Sequence, residues 1–63
     1  MIVNGEQEAA EGKTIAQVLA EKHIDLTNVA VERNGNIVPK KLYGSVVLTA
    51  ADRLEIVSFV GGG

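Results

Sequence analysis

The chain has no cysteine and no tryptophan, and only one phenylalanine, one tyrosine and one proline among its 63 residues. Each shortage removes a class of function. Without cysteine there is no disulfide, no thiolate metal site and no thiol nucleophile, so stability rests on an apolar core alone. Two aromatic rings are too few for a base-stacking surface. The net charge of −2, with both signs spread along the chain, lacks the basic footprint of a nucleic-acid binder. The apolar runs are short, and Glu6 and Glu8 follow the start closely, so neither a signal peptide nor a membrane span is expected. No carboxylate pair, nucleophile–base set or phosphate loop stands at a recognisable spacing. His23, the only histidine, reads as a surface group at a helix end. Neither a metal site nor an independent enzyme is expected, and the composition suits a small cytoplasmic domain.

What the chain does have is an aliphatic supply of Val, Ile, Leu and Ala, enough to core one domain near the lower size limit, where folding hides only about 60% of the surface. Met1-Ile2-Val3 is apolar and runs into Asn4-Gly5, the strongest two-residue hairpin signal, because both central positions of a type I′ turn need φ > 0. The return, Glu6 to Ala10, is polar enough for a sheet edge. Thr14-Ile15-Ala16-Gln17 matches a capping box, and Ile15, Val18 and Leu19 form one apolar stripe. This predicts a helix over about residues 15–23, with Lys22 and His23 in its last turn. Val29 to Arg33 reads as a strand, Asn34-Gly35 as a second turn, and Asn36 to Val38 as a short strand ended by Pro39. Lys40 to Gly44 is an irregular connection with solvated lysines, Val46 to Leu48 a brief extended segment, and Ala50 to Asp52 a turn. Arg53 to Val60 is the longest strand signal. A helix with one apolar stripe needs one sheet face, which gives a two-layer α+β domain with the first and last strands in the middle.

Phe59-Val60 lead into Gly61-Gly62-Gly63. Consecutive glycines cost the most backbone entropy to order, so residues 1–60 are expected to fold and 61–63 to form a thin, flexible tail. Composition alone leaves two readings of that tail: a frayed end, or a tether that threads a narrow channel and presents a carboxylate. If Leu54 and Ile56 face the helix, alternation puts Arg53, Glu55, Val57 and Phe59 on the other side. Val57, Phe59 and Val60 would then be an apolar docking patch beside the tail. A bulge near Ile56-Val57 would instead turn Phe59 inward as core.

Three stretches carry a resemblance across the whole chain: Met-Ile-Val-Asn-Gly at the start, Val31-Glu32-Arg33-Asn34-Gly35-Asn36-Ile37-Val38-Pro39, and Asp52-Arg53-Leu54-Glu55-Ile56-Val57 leading to Val60-Gly61-Gly62-Gly63. With them the sequence resembles the ThiS family of sulfur carriers in thiamine biosynthesis. It departs at Ala51, where a glycine often precedes the Asp, and matches weakly over Lys40 to Gly44. The resemblance implies a ubiquitin-like β-grasp fold, a mixed sheet with one main helix packed on one face. It implies that the Gly63 carboxyl group is adenylated and becomes a thiocarboxylate, with Gly61 and Gly62 supplying reach. The partners it implies are an E1-like, ThiF-like adenylyltransferase that uses ATP and magnesium, a ThiG-like thiazole synthase that takes the sulfur, and a sulfur donor such as a cysteine desulfurase. The chain itself would bind no cofactor. Two alternatives stay open: a molybdopterin-synthase small subunit using the same chemistry, and a plain β-grasp interaction module.

Overall fold

In the computed structural model, which describes residues 1–59, both Asn-Gly pairs form the tight turns expected of them. Asn4 and Gly5 have φ of 51° and 83°, Asn34 and Gly35 of 53° and 86°. The first turn joins β1 (Ile2–Val3) to β2 (Glu6–Gln7), and the second joins β3 (Val29–Arg33) to β4 (Asn36–Ile37). With β5 (Arg53–Ser58) these strands make one mixed sheet in the order β2-β1-β5-β3-β4. β5 is central: it runs parallel to β1 and antiparallel to β3. The edges are the two-residue strands β2 and β4, short enough to offer little template for pairing. The predicted α+β architecture, with its first and last strands inside, is the one observed.

Helix α1 (Ile15–Glu21) lies against one face, and its buried side chains Ile15, Val18 and Leu19 are the predicted stripe. Its start is the full capping box: the Gln17 amide donates to the Thr14 hydroxyl oxygen, and the Thr14 amide donates to the Gln17 side chain at 2.8 Å. Its end comes sooner than the pattern suggests. Lys22 is the cap, and His23 turns left-handed at φ 58°, so neither lies in the last turn. The His23 amide then donates to the Ala20 carbonyl and the Ile24 amide to that of Leu19, closing the helix and folding Ile24 onto the core.

Val3, Val31 and Leu54 from the sheet meet the helix stripe, with Met1, Ala10, Val38, Tyr43 and Leu48 filling the ends. Three expectations need correction. β2 stops at Gln7, because Ala10 leaves the sheet edge to be buried in the core. The second strand of the second hairpin, expected to run to Val38, ends at Ile37. Val46 to Leu48 is the brief extended segment expected, and it pairs outside the main sheet: Val47 bridges Thr14 antiparallel, Leu48 exchanges backbone bonds with Gly12 and Lys13, and the Val46 carbonyl accepts from Ile15, tying this segment to the helix entrance. Lys40–Leu42, expected to be irregular, winds one 3₁₀ turn that drops Tyr43 into the core while both lysines stay exposed.

Candidate functional site: the end of the central strand

The central strand is held at its start by Asp52. This carboxylate is buried and accepts from the Thr49 amide at 2.8 Å, the Asn34 side-chain amide at 2.9 Å and the Arg33 guanidinium at 3.0 Å. Burial pushes its carboxyl up, but the Thr49, Asn34 and Arg33 donors more than offset this and bring it down to about 2. The Asn34 side-chain oxygen in turn accepts from the Arg53 amide at 2.9 Å. The second hairpin turn is thereby locked to the first residue of β5. None of this was anticipated from sequence, which read Ala50 to Asp52 only as a turn.

Further along, β3 pairs with β5 without interruption from Leu54 to Ser58, and the Phe59 amide donates to the Asn28 carbonyl at 2.7 Å. On the other side β1 ends after Val3, and Asn4 continues its line. The Asn4 amide donates to the Leu54 carbonyl, and its side-chain oxygen accepts the Ile56 amide at 2.7 Å. Both turn asparagines therefore serve twice, once as residues that tolerate positive φ and once as acceptors for β5. The sequence signal for the first role was plain; the second depends on contacts 19 and 52 residues away.

Alternation along β5 is regular. Leu54 is fully buried and Ile56 packs on the core, while Arg53, Glu55 and Val57 face away from α1. Val57 sits opposite Ala30 in register, so no bulge reverses the strand. Val57 is 46% and Phe59 57% exposed. The inward reading of Phe59 is set aside on that ground. A groove of about 280 Å³ opens beside Phe59, between Val29, Val38, Pro39 and Tyr43. Of the residues singled out from sequence, Val57 and Phe59 thus come together at the exit of the central strand. Val60, Gly61, Gly62 and Gly63, including the atom expected to carry the chemistry, lie outside the described residues. His23 is exposed at the helix end. Among the described residues no three His, Cys, Asp or Glu side chains gather as a metal site, and no helix is long and apolar enough to cross a membrane.

The family model described as the ThiS family matches residues 1–63. A thiazole synthase of Paramagnetospirillum magneticum is 44% identical over 64 residues, which cover 100% of this chain and 20% of that protein. The sulfur carrier protein ThiS of Bacillus subtilis is 46% identical over 50 residues, covering 79% of this chain and 76% of that one. The chain spans about a fifth of the length of the thiazole synthases it matches. Among solved structures, the thiamine biosynthesis protein (ThiS) of Geobacter metallireducens superposes with a TM-score of 0.75 at 26% identity, over 98% of this chain and 96% of that one.

Proposed function

The chain belongs to the ThiS family, and from that premise we propose that it is a sulfur carrier of thiamine biosynthesis, loaded on the carboxyl group of Gly63. One observation carries the reading: the family match spans the whole chain, including the glycines that follow the central strand in sequence. A carboxylate is a poor electrophile. Attack of a Gly63 carboxylate oxygen on the α-phosphorus of ATP, held with its magnesium by an adenylating partner, expels pyrophosphate and gives an acyl adenylate, from which AMP is a good leaving group. The outer sulfur of a persulfide, the form in which a donor such as a cysteine desulfurase supplies it, displaces AMP at the acyl carbon to give an acyl disulfide. A partner thiol then attacks the donor's sulfur, forming a disulfide with it and leaving the outer sulfur on Gly63 as a thiocarboxylate. Glycine suits this role because no Cβ crowds the acyl carbon. The chain has no cysteine on which to carry sulfur as a persulfide.

In this scheme the protein is a co-substrate and not an enzyme, and thiazole synthase receives its sulfur. Supporting that partner, two curated relatives named thiazole synthase contain a segment 44% identical to this chain. Gly61 and Gly62 give the tail thinness and reach, while Val57, Phe59 and Val60 are assigned to partner contact. We place these ATP-dependent steps in the cytoplasm.

The test is an intact-mass measurement after incubation with ATP, the adenylating enzyme and a sulfur source. Exchange of oxygen for sulfur is expected, and fragmentation must locate it at Gly63, since oxidation of Met1 adds nearly the same nominal mass. No gain at Gly63, under conditions that modify another sulfur carrier, would sink the proposal. So would a Gly63 whose carbonyl is already in amide linkage.

A further inference from the structure

Glu32 and Glu55 stand directly opposite one another in the β3–β5 register. Both lie on the face away from α1, since their strand neighbours Val31 and Leu54 are fully buried on the helix side. Like charges in this position repel. Neither forms an ion pair among the described residues. The side-chain ion pairs among the described residues are Lys13–Glu21, Lys22–Glu8 and Arg33–Asp52, and Arg53, on the same face two residues before Glu55, pairs with neither. Beside Arg53, apolar side chains border the two carboxylates. Ile37, opposite Glu32 on β4, is 71% exposed, and Val57 and Phe59 continue the face toward the chain's glycines.

We propose that this sheet face docks thiazole synthase through an Arg or Lys that enters between Glu32 and Glu55, ringed by apolar contacts to Ile37, Val57 and Phe59. The inference rests on the sulfur-carrier reading. A repulsion present in the free domain becomes an attraction once a cation sits between the two carboxylates, so the pair gains its favourable interaction only in the complex. A guanidinium suits the position because it donates to two carboxylates at once. The charge also selects against self-association, because a second copy of the face would bring the same two carboxylates forward. Relatives that hold a segment like this chain within a thiazole synthase polypeptide make that enzyme the occupant to test.

The experiment uses the full chain, its Glu32→Gln/Glu55→Gln double variant, Glu55→Lys, and a thiazole synthase from the same organism without ATP. Both variants are expected to melt a few degrees higher than wild type, as cross-strand repulsion is removed. Both should associate with the synthase more slowly, roughly tenfold or more for Glu55→Lys, and with a flatter dependence on salt. Association rates equal to wild type across the salt series overturn the inference. So does a wild-type chain that shows no association, or one that dimerises in sedimentation while the double variant does not. Thiocarboxylate formation on Gly63, followed in parallel, reports on the sulfur-carrier reading separately from these rates.

Discussion

Asp52 is the one charged side chain buried among the described residues, and its three donors come from two places in the chain: Arg33 and Asn34 at the second hairpin, and the Thr49 amide. Its folded carboxyl titrates at about 2, below the ordinary 3.8 expected once the chain unfolds. The folded state thus prefers the ionised form. The resulting stabilisation is fully present above about pH 4 and is lost as pH falls toward about 2. Asp52→Asn is expected to cost roughly 2 kcal/mol at neutral pH, where a charged acceptor is replaced by one whose amide meets donors. Urea titrations of both proteins should converge as the pH drops through that window. Curves that stay parallel down to about pH 2 would remove Asp52 as the cause. Sequence could not announce this residue. An Asp in a turn is ordinary turn chemistry, and its burial is created by a hairpin that arrives from 18 residues away.

The elements themselves were legible wherever the signal was local. The Thr14–Gln17 box, the Ile15–Val18–Leu19 stripe, the Val29–Arg33 strand and both Asn-Gly turns are decided by neighbours within a few residues, and all stand where they were read. The misreadings have two causes. Ala10 and Tyr43 are drawn into the core, where only the assembled sheet and helix define the gaps they fill, and His23 turns left-handed and closes α1 early. β1 shows how far a short element can be extended by one side chain. It has two residues, yet Asn4 holds the Ile56 amide at 2.7 Å beyond its end. Asn4→Gly keeps a residue at ease with φ of 51° but removes the acceptor. It should cost about 1 kcal/mol and speed hydrogen exchange at the Ile56 amide selectively. Asn4→Asp, which keeps the acceptor, should leave that amide protected. Equal protection in the glycine variant would mean that the side-chain bond contributes nothing to the strand.

At the scale of the molecule, the domain acts as a platform that aims one end of one strand. The β-grasp architecture was readable because hairpin, helix and terminal strand each announce themselves and few topologies join them. The site was readable only as a pattern: alternation assigned Val57 and Phe59 to the outer face, and the structure had to exclude a bulge. Phe59 now allows the two roles of a large apolar side chain to be separated. Truncating a buried phenylalanine costs about 3–5 kcal/mol, but this ring is more than half exposed and rims a groove with Val29, Pro39 and Tyr43. Phe59→Ala is therefore expected to lower stability by less than about 1 kcal/mol. If the outer face is where partners grip, the same change should slow thiocarboxylate formation at Gly63 by roughly tenfold or more, as loss of an aromatic anchor does at an interface. Raising the adenylating enzyme's concentration should restore the rate, because the defect lies in docking and not in the carboxyl chemistry. A large fall in melting temperature with an unchanged rate would return Phe59 to the core and leave Val57 and the Glu32–Glu55 pair to explain recognition without it.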